Sequence, residues 1–258
     1  MNWQPPKVSD SLWQAQNPRL FVFNHKVHSD HTVIEVKDLQ FAWPQQSPLF
    51  DHFNFTIQVD QRTYIAGPSG SGKSTLLNLL AGVLDATQGE IWVNGHAFHQ
   101  LSGPQRDQIR GEEMGFIFQQ FNLIPYLSTL ENILLPLNLF PKRKAAALKD
   151  FSSIKEAAMY LMTRLSLPMS IVDQPSHQLS VGQQQRVAAA RAFIGNPQIV
   201  IADEPSSALD WENQSQFMQL FLELGESQKT TLLMVSHDER LAPFFNKRIN
   251  LPKRGIDQ

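Results

Sequence analysis

The stretch Gly67-Pro68-Ser69-Gly70-Ser71-Gly72-Lys73-Ser74-Thr75 restricts what this chain can fold into more than any other. From Gly67 to Ser74 it fits the phosphate-binding pattern G-x-x-x-x-G-K-[ST]. It follows the apolar run Tyr64-Ile65-Ala66 and leads into Leu76, Leu77, Leu79, Leu80 and Val83, a spacing that predicts a buried helix. The context is therefore strand, loop, helix, which a chance Gly/Ser turn before a lysine would not bring with it. A polyphosphate here meets a concave row of backbone N–H groups and the positive end of the helix, and the glycines let the main chain approach without an intervening Cβ. In this pattern Lys73 is placed for the β- and γ-phosphates and the Ser74 hydroxyl for Mg²⁺.

With 258 residues, 42% hydrophobic and 18% charged, the chain has enough material for a globular core. Lys and Arg total 22 against 24 Asp and Glu, a net charge of −2, so bulk electrostatics point to neither nucleic acid nor an anionic membrane as partner. The absence of cysteine removes disulfides and thiolate metal sites. No apolar run of signal-peptide length occurs in the first 30 residues. The best membrane candidate, Phe121 to Phe140, is broken by Pro125, Glu131 and Pro136, so any work at a membrane is expected to run through a partner.

Residues 1–31 are polar with scattered aromatics at Trp3, Trp13, Phe21 and Phe23. They read as a partly docked extension with an extra strand around Arg19 to Phe23, a mobile arm being the alternative. From Thr32 the text reads as strands: Thr32 to Val36, Phe53 to Val59 and Thr63 to Ala66, whose alternation predicts an antiparallel sheet with one solvated face. Glu90 to Val93 runs into Asn94-Gly95, a hairpin signal, and a buried strand Met114 to Phe118 follows. Between Pro125 and Pro175 the character changes. Helices are expected over Thr129 to Leu139, Lys142 to Lys149 and Ile154 to Leu165, an insert of about residues 125–178. Its basic cluster Lys142, Arg143, Lys144 and Lys149 reads as a solvated face, or alternatively as a lipid-headgroup contact. The helix Val181 to Phe193, the strand Ile199 to Ala202, the helix Asn213 to Leu224 and the strand Thr231 to Val235 then indicate a parallel sheet covered on both faces. The main domain is expected over residues 32–250, with a tail at 251–258.

Asp203 and Glu204 end the apolar strand at Ile199 to Ala202. A carboxylate at that edge, beside the phosphate loop, suits Mg²⁺, and Glu204 can orient the attacking water. His237 follows the strand Thr231 to Val235 at the same edge and can hold a γ-phosphate, while Gln119 can touch Mg²⁺ or water. Ser180, at a helix N-cap before Gly182 and Gln183, makes a second anion-binding terminus on one chain. An economical explanation is that it serves another subunit's nucleotide.

Taken in order, these segments resemble the ATP-binding subunit of ABC transporters over roughly Thr32 to Asn250. The resemblance rests on Gly67 to Ser74, Phe118-Gln119, Leu179 to Gln183 as the signature, Ile199 to Glu204, Ser207-Ala208-Leu209-Asp210 as the aspartate loop, and His237 as the switch histidine. It implies an α/β P-loop NTPase core, a mixed sheet flanked by helices, with an antiparallel β subdomain and an inserted α-helical subdomain. It also implies MgATP hydrolysis to ADP and phosphate, with Trp43 stacking on adenine and the loop Gly67, Pro68, Ser69, Gly70, Ser71, Gly72, Lys73, Ser74 and Thr75 on the phosphates. Ser74, Gln119 and Asp203 would hold Mg²⁺, and Lys73, Glu204 and His237 would carry catalysis. Ser180, Gly182, Gln183 and Asp210 would complete the nucleotide site across a head-to-tail homodimer. A groove near Gln119 would receive a short helix of an integral membrane permease. The implied location is the cytoplasmic face of the inner membrane, with membrane contact only through that permease and no nucleic acid bound. Phe116 to Pro125 and Thr129 to Ile133 look like the branch serving lipoprotein release, macrolide export and cell division. Val181 stands where the signature usually has glycine, and a β-branched residue there excludes positive φ. A soluble cassette ATPase of DNA repair or the ribosome, and an ATP-switched regulatory module, are the alternatives; the chain carries no coiled-coil insertion or tandem second copy.

Overall fold

The computed structural model describes residues 31–205 and 210–251. The expected N-terminal extension before His31, the Ser207-Ala208-Leu209 part of the aspartate loop and the tail beyond Leu251 lie outside the described residues.

Two sheets segregate the antiparallel from the parallel strands. β1 (Thr32–Phe41), β2 (Phe50–Gln58), β4 (Gln88–Val93) and the short β5 (His96–Ala97) form an antiparallel sheet in the order β2-β1-β4-β5. The β4–β5 hairpin turns on Asn94 and Gly95, both at positive φ (49° and 77°), as the Asn-Gly pair predicts. β3 (Arg62–Ala66), β6 (Met114–Ile117), β7 (Ile199–Asp203), β8 (Thr231–Val235) and β9 (Lys247–Asn250) form a five-stranded sheet ordered β6-β7-β8-β3-β9, parallel at every pairing. The sequence reading grouped β3 with the alternating strands. The structure places it between β8 and β9, and its last four residues, Thr63 included, are buried on both faces. β9 was not foreseen, because its Lys, Arg and Asn give no strand pattern and only Ile249 is buried.

The parallel strands divide their side chains between two cores. Ile65, Ile199, Ile201, Leu233 and Val235 face α1 (Lys73–Leu80) and the antiparallel sheet; Tyr64, Val200, Ala202, Leu232 and Met234 face the helices opposite. This is why these strands carry continuous apolar runs, each buried side chain contributing about 1.5–3 kcal/mol. The opposite layer holds α3 (Thr129–Leu139), α4 (Pro141–Asp150), α5 (Ile154–Arg164), α6 (Val181–Phe193) and α7 (Trp211–Ser227). Ser128, Ser153 and Ser180 cap α3, α5 and α6, each hydroxyl accepting a backbone N–H three residues on, which sets these helix starts where the sequence expects them. α2 (Gly103–Glu113) was missed. Ser102 and Gln105 cap it reciprocally, but Glu113 is its one buried residue, so no apolar stripe announces it. α1 ends at Leu80, leaving Val83 exposed outside the helix.

Arg143 corrects the reading of the basic cluster as a solvated face. It is buried, and its guanidinium donates to the carbonyls of Ile194 (2.9 Å from Nε), Met114 (3.1 Å) and Ala192 (2.7 Å), fastening α4 to β6 and the end of α6. β6 itself lies so close to α6 that a Cβ on Gly115 would stand 2.2 Å from the Ala192 carbonyl oxygen. Among the described residues no helix is long and apolar enough to cross a membrane.

Candidate active site

The loop between β3 and α1 bends because Gly70 and Gly72 take φ of 78° and 92°, a region closed to most side chains. Gly72 is also the N-cap of α1 and offers no side chain, so the first-turn N–H groups are not claimed by a capping residue. The Ser71 amide donates to Pro68 O (3.2 Å), while its buried hydroxyl has no partner among the described residues. Lys73 is only 8% exposed and its Nζ donates to Gly67 O (2.8 Å) and Pro68 O (2.9 Å), which holds the ammonium within the loop's curve.

A cleft of about 450 Å³ opens over this loop. Ser69, Gly70, Gly72, Lys73, Ser74 and Thr75 line its floor; Trp43, Gln119, Asp203 and Glu204 line its walls. Gly67, Pro68 and Ser71 form the base of the loop without lining the cleft. Trp43 stands edge-on to Phe41 (ring centroids 5.1 Å, interplanar angle 87°), leaving a partly exposed indole at the rim. Gln46 and Leu49 were missed by sequence reasoning yet line the same wall. Leu49 packs under Gly72, within 2.9 Å of where a Cβ would sit, and an ordinary leucine in a loop carries no signal of that role.

Asp203 ends β7 and accepts a hydrogen bond from the Ser74 hydroxyl. Burial pushes its carboxyl above the usual range; the Ser74 bond and the Lys73 charge oppose that rise and neighbouring Glu204 adds to it. A partly desolvated carboxylate beside a hydroxyl and an amide is an all-oxygen donor set, which suits a hard divalent cation such as Mg²⁺. Among the described residues no group of three or more His, Cys, Asp or Glu could hold a metal ion.

Glu204 sits at φ 45°, a strained conformation for a non-glycine residue, fixed by its N–H donating to Val235 O (2.9 Å). Its carboxylate meets His237 Nδ1 at 2.9 Å. His237 is thus brought to the cleft edge through Glu204, its imidazole otherwise largely in solvent. The signature residues are not in the cleft. Ser180 Oγ accepts from the Gln183 N–H (3.3 Å) and Gln183 Oε1 accepts from the Ser180 N–H (2.9 Å), a closed cap at the start of α6. Neither Val181 nor Gly182 has a positive φ, so the helix accepts valine without backbone strain, and a Cβ on Gly182 would meet nothing within 4 Å. Asp210 likewise stands apart, capping α7 through Asn213 N at 2.9 Å.

The family model described as ABC transporter matches residues 50–207. The chain is 39% identical over 205 residues to the uncharacterized ABC transporter ATP-binding protein MJ0796 of Methanocaldococcus jannaschii, covering 80% of this chain and 86% of the relative. It is 39% identical over 206 residues to the lipoprotein-releasing system ATP-binding protein LolD of Hydrogenovibrio crunogenus, with the same two shares. Among solved structures, a dimeric MJ0796 described as a bacterial ABC transporter cassette superposes with a TM-score of 0.72 at 33% identity, over 84% of this chain and 94% of that one. A post-hydrolysis dimer of MJ0796 bound to ADP and Pi gives a TM-score of 0.72 at 32% identity, with the same coverage.

Proposed function

From the premise that the chain belongs to the ABC transporter family, we propose that it is the ATP-binding, ATP-hydrolysing subunit of a transporter. The observation that carries the reading is the Asp203, Glu204 and His237 constellation along one sheet edge, facing Ser74 and a loop whose helix terminus is left uncapped.

In this reading Trp43 stacks on the base, and Lys73 with the loop amides binds the β- and γ-phosphates. Ser74 and Asp203, with Gln119, would hold Mg²⁺, which when bound would neutralise charge on the phosphate oxygens. Glu204 accepts a hydrogen bond from the attacking water and aligns its oxygen on the γ-phosphorus; as the new O–P bond forms, the bond to the β–γ bridging oxygen breaks and the water protons leave on the phosphate product, releasing ADP and phosphate. His237 orients the Glu204 carboxylate and contacts the γ-phosphate. Ser180, Gly182, Gln183 and Asp210, all outside the cleft of their own chain, serve the nucleotide of a second copy in a head-to-tail homodimer. The relatives that are dimeric cassettes support this arrangement.

The partner is an integral membrane permease, and the likeness to lipoprotein-releasing system ATP-binding proteins supports the lipoprotein-release branch. An apolar groove of about 410 Å³ between Phe116, Phe118, Leu135, Leu139 and Phe140, with Phe118 next to Gln119 in the chain, is the surface for a short helix of the permease. The chain works at the cytoplasmic face of the membrane, with residues 32–250 as the ATP-binding domain, a helical insert at about 125–178, and flanking segments at 1–31 and 251–258.

The Glu204→Gln variant tests the reading. It should bind ATP, accumulate as a dimer by light scattering, and release phosphate at a small fraction of the parent rate. Unchanged turnover would remove Glu204 from the mechanism.

A further inference from the structure

His237 poses a physical problem. Its side chain is 64% exposed and, among the described residues, its one hydrogen bond is to Glu204, so packing does not hold the imidazole in place. A group that must meet a γ-phosphate within a few tenths of an ångström needs another source of rigidity.

That source is visible one strand away. Tyr64 lies on β3, paired with Met234 of β8, and its side chain is fully buried. Its hydroxyl is 3.1 Å from the carbonyl oxygen of Ser236 and 2.9 Å from that of Asp238. The phenol therefore bridges the carbonyls of the two residues on either side of His237, its single proton lying between them. The Ser236 hydroxyl closes the same bend by accepting from the Asp238 N–H (3.1 Å). The ring is held in turn against Phe245, at 5.6 Å and 44°. Across the segment the Asp238 carboxylate is gripped by Arg240 through both oxygens (2.8 and 2.6 Å) and by Gln214 of α7, with the Arg240 guanidinium 4.4 Å above the Trp211 ring. Burial pushes the Tyr64 phenol up to about 12, so it stays a neutral donor at any working pH.

We infer that Tyr64 is a positioning residue for hydrolysis: by bridging the carbonyls of Ser236 and Asp238 it fixes the main chain of His237, and so aims the imidazole at Glu204 and the γ-phosphate. The inference rests on the ATPase reading above and adds a residue to it that touches neither nucleotide nor cleft.

The test is a double-variant cycle of the unaltered chain, Tyr64→Phe, His237→Gln and the two combined. Phosphate release from MgATP is followed in single turnover, so that low rates stay measurable. Tyr64→Phe keeps the ring and removes only the bridge. The expected result is a rate lowered about tenfold, the scale of one lost buried hydrogen bond, with KM for ATP unchanged. In the His237→Gln background the same substitution should change the rate no further. An equal loss in both backgrounds, a KM that rises in step, or no loss at all overturns the inference, because a merely structural tyrosine would act regardless of residue 237. Should Tyr64→Phe fail to fold, Phe245→Leu takes its place, since it leaves the hydroxyl and removes the ring that sets its tilt. A smaller loss confined to the His237 background then supports the inference, and parent-like turnover overturns it. Absence of phosphate release from the unaltered chain, alone and with its membrane partner, overturns the ATPase reading and this inference together. A working parent with an unaffected Tyr64→Phe variant overturns this inference alone.

Discussion

Substituting Glu113 by glutamine probes how three parts of the molecule are tied together. Glu113 closes α2 with its side chain buried, and its carboxylate receives the Lys142 ammonium of α4 at 2.6 Å and the Asn94 amide of the β4–β5 hairpin at 2.8 Å. His96 of the same hairpin stands 3.7 Å away. Burial by itself would raise the carboxyl, but the hydrogen bonds from His96, Lys142 and Asn94 and the Lys142 charge more than reverse this, bringing it from 4.5 down to about 2. At about 1.36 kcal/mol per pH unit the charged form is favoured in the fold by about 3 kcal/mol, or about 2 once solvent screening of half-exposed Lys142 is allowed for. Because the folded value lies below the unfolded one, this stabilisation is present above pH 4.5 and is lost as pH falls towards 2. Glutamine keeps the shape and cannot ionise. Urea denaturation of parent and Glu113→Gln at a series of pH values should show a gap of about 2–3 kcal/mol at pH 7 that narrows steadily below pH 4.5. Comparing the two proteins at each pH cancels the other carboxylates. A gap independent of pH would refute the argument, since the residue would then be acting through shape and neutral hydrogen bonds alone.

Arg143→Met should lower unfolding free energy by about 3 kcal/mol, because it leaves the buried carbonyls of Met114, Ala192 and Ile194 without their shared donor. Arg143→Lys should recover only part of that in the same urea assay, an ammonium lacking the planar fork that reaches all three. Gly115→Ala should cost about 3 kcal/mol or more, since the new methyl would overlap the Ala192 carbonyl oxygen at 2.2 Å and force β6 and α6 apart; a parent-like midpoint would show that this contact yields easily. Trp43→Ala should weaken ATP binding by about 1–3 kcal/mol, read by nucleotide titration, with the rate at saturation nearly unchanged. An unchanged dissociation constant would take the indole off the base.

The parts of this molecule legible in the sequence are those whose signal is local. The loop from Gly67 to Thr75 declares itself because its glycines, lysine and hydroxyl must be consecutive to wrap a phosphate. α3 and α6 begin where Ser128 and Ser180 say they should, since a cap acts on an amide three residues away. Ile199 to Ala202 and Thr231 to Val235 announce strands buried on both faces, and with them the edge where Asp203, Glu204 and His237 gather. What stayed hidden depends on which segment lies next to which. β3 looked like its antiparallel neighbours in the chain until β8 and β9 flanked it, and α2 had no apolar stripe to show because its ends are held by a cap and by Glu113. Arg143 is a lysine-rich helix's unremarkable member until three carbonyls from β6 and α6 converge on it, and Tyr64 reads as core until its hydroxyl meets residues 172 and 174 positions further on. Chemistry encoded in consecutive residues was settled by the chain alone; the orientation and support of that chemistry were settled only by folding, because hydrogen bonds between distant segments have no spacing to read.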